Sequence, residues 1–393
     1  MKEKPNKQEQ LDIIKDEKDN LIHAKKKLPK WLRISLKVML GVFCGIIGVV
    51  IIYVAYVFID YHRIDDYQVL EVNNKQVVKE KASLDTEYTI IIQNMGFGAY
   101  VADFTFFMDG GKESRARSAE SVKMCFDEGM KLIGDYDPDF VLIQEADINS
   151  TRSYKINQID LMDKYFVDYA SNYAINYDSP YLMYPIFEPH GKSVSSIATY
   201  TKIQMDSALR RSLPVSKTVS KLLDLDRCYA KTKIKIDNGK YLVLYNVHLS
   251  AYGSGDEVRT GQITMLLADM QAEFADGNYC VCGGDFNHDF TGDSVKTING
   301  DVDTSSLGWA YPFPTEILDQ YPNIKRAMQY QDGLILPTCR NCDVPYVEGN
   351  FTIIVDGYLV SDNIEVTYLE NIQTGFTYSD HCPVVMKFIL KGE

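Results

Sequence analysis

The sequence predicts a mixed α/β domain of roughly 300 residues behind one membrane-crossing helix. Three observations lead to that class. From Tyr88 onward, short apolar runs of strand length alternate with stretches of helical spacing. The composition is 46% hydrophobic and 24% charged, with 27 Tyr and 17 Phe to fill a core, which excludes wholesale disorder, collagen and coiled coil. Val38 to Ile59 is an uninterrupted run without a charge.

Taken in order, residues 1–37 form a basic tail. Residues 1–24 mix both charge signs with few aromatics and predict a weakly helical or disordered segment. The Val38–Ile59 run, at about 1.5 Å per residue, spans a bilayer core of roughly 30 Å. It exceeds the roughly 7–15 apolar residues of a cleaved signal peptide and ends in Tyr-Val-Phe-Ile-Asp, a poor cleavage site, so a retained anchor is expected. Lys25, Lys26, Lys27, Lys30, Arg33 and Lys37 precede it, and Asp60, Arg63, Asp65 and Asp66 follow. The positive-inside rule then puts residues 1–37 in the cytoplasm and the rest outside, as a single-pass protein of the cell membrane. Residues 60–84 read as a stalk, with a reach of at most about 80 Å if fully extended. Residues 85–393 read as one domain.

Within that domain, Tyr88–Gln93 is a buried strand candidate. Ser118–Ile133 carries helical spacing, with Val122, Cys125, Phe126 and Met130 on one face. The turn Asp137-Pro138-Asp139 sets up a second strand, Phe140–Gln144. Ser195–Tyr200, Arg227–Ile236 and Tyr241–His248 continue the strands, the last two joined by an Asp237-Asn238-Gly239 hairpin turn. A helix follows, with Ser254 as N-cap, Glu257 three residues on, and Ile263, Leu266, Leu267, Met270 and Phe274 as its apolar face. Tyr279–Asp285, Thr352–Val360, Ile364–Tyr368 and Pro383–Leu390 complete the strand set.

Charge and cysteine limit the function. Formal net charge is −13, but residues 1–37 hold 11 Lys and Arg against 6 Asp and Glu, which leaves −18 for the remainder. So acidic a body is a poor general binder of nucleic acid, whose nonspecific binding rests on Lys and Arg meeting phosphates. Cys44 lies in the apolar run, and the other seven of the eight cysteines, an odd number, make no disulfide framework. Cys280 and Cys282, two apart on a strand, read as core residues. Cys339 and Cys342 form one C-x-x-C without a second pair, so a local disulfide or two free thiols is expected rather than zinc.

Side chains that do chemistry on α/β folds gather at strand ends. Here the strands end in Asn94, in Gln144-Glu145, in Asn246-Val-His248 and in Gly284-Asp285-Phe-Asn287, and Ser379-Asp380-His381-Cys-Pro383 precedes the last one. Glu145, Asn94 and Asp380 offer hard oxygen ligands that suit Mg²⁺. Two histidines that titrate near neutral pH could act as general base and acid. Asp356, on the apolar run Ile-Ile-Val-Asp-Gly, would be costly there unless paired with a His. Together these read as metal-assisted hydrolysis of a phosphoester.

These motifs, in this order, resemble the endonuclease/exonuclease/phosphatase superfamily, which includes deoxyribonuclease I, neutral sphingomyelinases and inositol polyphosphate 5-phosphatases. The resemblance covers residues 86–390 and is most specific in Gly-Asp285-Phe-Asn287 and Ser-Asp380-His381-Cys-Pro-Val. It implies a four-layer αββα sandwich of two mixed sheets. It implies Mg²⁺ (or Mn²⁺) on Glu145, Asn94 and Asp380, and His381, oriented by Asp356, as base or transition-state partner of the attacking water. Asp285 and Asn287 would position that water and bind phosphate, His248 would bind phosphate or act as general acid, and Arg227 would grip the scissile phosphate. Taken alone, Asn94 could be a strand-end cap, His248 a core histidine, and Arg227 a partner of Asp224 or Asp226. His288 stays open, Arg259 and Gln262 are expected to hold the scaffold, and His190, Lys192, Arg152 and Arg340 lie in long loops. The expected activity is a membrane-anchored, outward-facing phosphoester hydrolase. A lipid head group or small phosphoester is favoured over nucleic acid, and no protein partner is implied. A secreted-side nuclease and an inactive binding module are the alternatives.

Overall fold

The computed structural model describes residues 6–23, 29–216, 226–251, 256–302 and 309–392. The expected N-cap Ser254, Asp224 and Lys25 to Lys27 lie outside these residues. The chain divides into two units, Met1–Asp60 and Tyr61–Glu393.

The first unit holds helices α1 (Lys7–His23) and α2 (Lys30–Asp60). The apolar run lies inside α2, whose most apolar 18-residue window has a mean hydropathy of 2.8. Leu, Ile, Val and Phe side chains project from it all round, among them Val42, Phe43, Ile47 and Ile51. A helix apolar on every side is of the kind found as a core helix or as a membrane span. It is long and apolar enough to cross a membrane.

The second unit is built on two mixed sheets and a ribbon. Sheet A runs in the order β1 (Gln68–Val69), β6 (Ser207–Ser212), β7 (Cys228–Lys235), β8 (Tyr241–His248), β9 (Tyr279–Asp285), β13 (Asp356–Ser361), β10 (Ile324–Arg326). Sheet B runs β14 (Ile364–Asn371), β15 (Val384–Leu390), β2 (Glu87–Asn94), β3 (Phe140–Asp147), β5 (Val194–Thr201), β4 (Ala170–Asp178). Strands β11 (Cys339–Arg340) and β12 (Thr352–Ile353) form the ribbon. Among the strands of the described residues, β2–β3 and β8–β9 are the parallel pairs. Parallel neighbours need a crossover, which α3 (Ala119–Asp135) and α5 (Asp256–Ala275) provide. Short helices α4 (Gln158–Met162), α6 (Ser294–Asn299) and α7 (Thr315–Leu318) complete the set.

Strand periodicity explains the layering. Along β8, Leu242 and Leu244 face the core between the sheets, while Val243, Tyr245 and Val247 face α5. Along β2, Ile90 and Ile92 face between the sheets, and Ile91 faces α3. The helices answer with the expected faces: Val122, Cys125, Phe126, Met130 and Ile133 on α3, and Ile263, Leu266, Leu267 and Met270 on α5. Ser118 caps α3 by accepting the Ser121 N–H at 3.0 Å. Cys280 and Cys282 pack on the α5 side of β9. The result is the αββα sandwich the resemblance implied.

The sequence missed β1, β4, β6, β10 and β11, and it joined β12 and β13 into one strand. The chain breaks there because Ile354 and Val355 give their carbonyls to Phe290 and Phe286 as it passes from the ribbon to sheet A. The segment expected as a stalk is laid along the domain instead. β1 pairs with β6, Asn73 bridges Ser171, Lys79 bridges Ile203 and Ala82 bridges Ile236. Fully buried Arg210 donates to the Asp65 carbonyl at 3.1 Å, and to those of Ile175 and Asp226 at 2.8 Å each. The 80 Å reach therefore does not apply.

Candidate active site

The ends of the two parallel strand pairs meet. Register sets His248 beside Asp285, Asp285 beside Asp356, and Asn94 beside Gln144. A register shift between Ile143 and Ala146 lets Glu145 adopt φ 55. Asn287 has φ 49. Two non-glycine residues in the left-handed region within one cluster are strain held by the surrounding fold. Glycine opens the remaining space. A Cβ on Gly284 would be driven into the Val247 carbonyl, and one on Gly96 would lie 2.6 Å from Asp380 Oδ1.

Asn94 sits at the centre. Its Nδ2 donates to Asp285 Oδ2 at 3.0 Å and Glu145 Oε1 at 3.3 Å, and lies 3.5 Å from His381 Nε2. Its Oδ1 accepts the Gly96 N–H at 2.9 Å. His381 Nδ1 lies 2.8 Å from Asp356 Oδ2, forming the dyad that the sequence suggested. His248 Nε2 is 3.4 Å from Asp285 Oδ2 and 3.8 Å from Glu145 Oε1. Asn287 donates its N–H to Asp285 Oδ1 at 2.8 Å and its Nδ2 to the Leu249 carbonyl at 2.9 Å. Ser379 accepts the His381 N–H and donates to the Asn94 carbonyl, tying the last motif to β2.

Burial and close charges pull the titrating groups apart. Burial raises Asp285 to about 7, with Asp356 adding to the effect and His381 opposing it. Burial also raises Asp380 to about 6; His381 opposes, and the Glu145 charge adds. Burial would deprotonate His381, but the carboxylate of Asp356 and contact with Cys339 hold it well above the usual imidazole range. His248 falls well below that range because it is buried and faces Arg227, His381 and Arg152.

This donor set fits a hard divalent cation. Glu145, Asp285 and Asp380 crowd together: Glu145 and Asp285 both lie within 4.0 Å of His248 Nε2, and the Glu145 charge acts on Asp380. Carboxyl groups this close repel one another when ionised, and a bound cation would relieve that repulsion. Asp285, Asp356 and His381 also bring ligand atoms within 4.8 Å of one another, but the dyad bond occupies His381 Nδ1.

The remaining expectations sort cleanly. Buried Arg227 lies close enough for its charge to lower both His248 and Asp285, and Asp226 pairs with Arg63 at 3.2 Å. Gln262 braces the loop after His248 by accepting the Ser250 N–H, and Arg259 stacks on Tyr311. His288 Nδ1 lies 2.7 Å from the Phe286 carbonyl. Arg152 is locked on Asp147 by two bonds of 3.0 and 2.9 Å, and His190 packs among Phe97, Phe106 and Phe107. Lys192 pairs with Asp178. Arg340 is fully buried, donates to the Val101 and Phe104 carbonyls, and lowers Asp380 by its charge. Cys339 and Cys342 are free, buried thiols. The sequence missed Asn176, whose Nδ2 lies 3.5 Å from His248 Nδ1; it sits on β4, where Asn reads as a turn signal. It also missed Thr338, whose hydroxyl accepts the Asp356 N–H.

Residues 130–322, which include Glu145, Arg227, His248, Asp285 and Asn287, match the family model described as endonuclease/exonuclease/phosphatase family. Among solved structures, the chain is similar to an endonuclease/exonuclease/phosphatase from Beutenbergia cavernae DSM 12333, with TM-score 0.55 and 15% identity over 78% of this chain and 72% of that one. It is also similar to ANGEL2, a 2',3'-cyclic phosphatase, in complex with adenosine-2',3'-vanadate, with TM-score 0.51 and 14% identity over 82% of this chain and 99% of that one. No curated protein matches it in sequence. Identities this low speak for a shared fold.

Proposed function

The chain belongs to the endonuclease/exonuclease/phosphatase superfamily, and on that premise we propose that it is a divalent-metal-dependent phosphoester hydrolase, anchored in the cell membrane with its catalytic domain outside. The observation that carries the reading is the convergence of Glu145, Asn94, Asp285, His248 and the His381–Asp356 dyad at one set of strand ends.

Glu145, Asp380 and Asn94 would hold Mg²⁺ or Mn²⁺, which neutralises charge developing on the phosphoryl oxygens. Asp285, raised to about 7, is poised to take a proton from water near neutral pH, and Asn287 holds its Oδ1 in place. His381 keeps its proton beside Asp356 and offers positive charge to the transition state. His248 is neutral, so with Asn176 donating to Nδ1 its Nε2–H donates to a phosphate oxygen; a neutral imidazole is a poor proton donor, which favours phosphate binding over general-acid work. Arg227 supplies a planar fork for the same phosphate. The water oxygen bonds phosphorus, the ester P–O bond breaks, Asp285 takes the proton, and the leaving oxygen takes one from solvent.

The acidic body and the apolar helix favour a lipid head group or small phosphoester over nucleic acid. Turnover of bis(p-nitrophenyl) phosphate should require Mg²⁺ or Mn²⁺ and stop with EDTA; turnover that survives chelation contradicts the reading. Rates on plasmid DNA and on phospholipid vesicles, measured side by side, separate the substrate classes. Rapid, salt-sensitive nicking with inert vesicles would favour a nuclease. Protease added to intact cells should digest the body, and a body that resists until the membrane is broken reverses the topology.

A further inference from the structure

The connection from β4 to β5 ends in a bare apolar tip. No charge occurs from Ser179 to Phe187, and Tyr184, Ile186 and Phe187 are 66%, 78% and 102% exposed. Adjacent large apolar side chains held in water mark a docking surface. The tip is a built projection. Leu182 and Gly191 exchange backbone bonds of 3.1 and 3.0 Å, Ser114 Oγ and Arg115 Nε donate to the Glu188 and Pro189 carbonyls, and the Tyr184 ring packs at a tilt against Phe107.

Its root lies where the domain's chain begins. Asp178, the last residue of β4, lies 3.4 Å from both His62 Nε2 and Lys192 Nζ. Arg63 pairs with Asp226, and the Ile64 carbonyl accepts the Ser212 hydroxyl. In sequence, Tyr61 alone separates His62 from Asp60, the last residue of the apolar helix. Two residues before Asp178 on the same strand, Asn176 faces His248. The end of β4 thus carries a contact to the first residues of the domain, the apolar projection and a contact to the site.

We propose that the Tyr184–Phe187 tip inserts into the bilayer that the chain's own apolar helix spans, holding the site at the lipid surface. This rests on the anchored reading above. An apolar tip with an aromatic at its end suits the boundary between head groups and acyl chains, at a depth of about 5–10 Å. It would bring the site to phosphoesters borne by lipids rather than to those free in solution.

The test uses the full chain, reconstituted in phosphatidylcholine vesicles with and without brominated acyl chains, as parent and as Phe187→Trp. Trp31 and the buried Trp309 are common to both and set the background, and co-flotation with the vesicles reports on anchoring. Phe187 is fully exposed, so the variant should keep the parent's thermal unfolding midpoint. Insertion predicts added emission at residue 187 that bromine quenches on the order of twofold, and an Ile186→Ser/Phe187→Ser variant that loses turnover on vesicle lipid but keeps it on bis(p-nitrophenyl) phosphate. Co-flotation without quenching at residue 187 overturns the insertion and leaves the anchor standing. The absence of both co-flotation and quenching overturns both. Emission at residue 187 that depends on protein concentration but not on bromine overturns insertion in favour of a second copy of the chain.

Discussion

The two sheets each carry one parallel strand–helix–strand unit, and the two units end in different chemistry. In sheet B, β2–α3–β3 delivers Asn94 and Glu145; in sheet A, β8–α5–β9 delivers His248 and Asp285. Both units pack alike, with strands buried on both faces under an amphipathic helix. The difference lies in water. The Glu145 side chain is 24% exposed, while that of Asp285 is 2% exposed. A hydrated cation can reach the first and is favoured by hard, partly solvated oxygens. Burial forces the second toward its neutral form, which equips it to move protons. On the proposed reading, one architecture used twice would give metal binding to the more exposed of these two carboxylates and proton transfer to the buried one.

The largest expected effect breaks the proton half. Asp285→Asn should lower kcat by about 10³–10⁴-fold on a soluble phosphodiester, within the range of general acid–base catalysis, and added Mg²⁺ should not restore it. Glu145→Gln should also abolish turnover at ordinary Mg²⁺, yet recover in part as Mg²⁺ or Mn²⁺ is raised, because Asp380 and Asn94 remain. Equal rescue of both variants would erase the distinction between the two halves. A step smaller, His381→Ala should cost at least about 10²-fold, and Asp356→Asn should reproduce it, since either change dismantles the 2.8 Å dyad. Kinetics of the double variant matching either single variant would support one unit; multiplied losses would not. Smallest, Asn176→Ala should cost about tenfold by freeing the His248 ring, the usual scale for a partner that orients an imidazole. It should appear in KM for the phosphoester more than in kcat if His248 binds phosphate.

What the sequence revealed follows the same division. Strands buried on both faces, such as Ile90–Ile92 and Leu242–Leu244, read as apolar runs, and the polar residues that end them stood out by contrast. The site was legible for that reason. β4 and β6 were not: Ala-Ser-Asn-Tyr-Ala-Ile-Asn-Tyr-Asp and Ser-Ala-Leu-Arg-Arg-Ser carry too many polar residues, spent on Asn176 at His248 and on the Arg210 clamp. The Tyr61–Leu84 segment hid its attachment because backbone groups make many of those bonds, and they leave no trace in residue type. Nor could the sequence assign charge states. His248 and His381 look alike in it, and opposite surroundings drive one neutral and the other cationic.

Manganese binding tests the division between the two units most directly. The full chain, reconstituted in vesicles, is titrated with Mn²⁺ and followed by electron paramagnetic resonance, alongside Glu145→Gln and Asp285→Asn. The expected result is binding by the parent, an affinity at least about tenfold weaker in Glu145→Gln, and near-parent affinity in Asp285→Asn despite its lost turnover. Binding that survives the Glu145 change and disappears with Asp285, or a parent that binds no Mn²⁺, would contradict it.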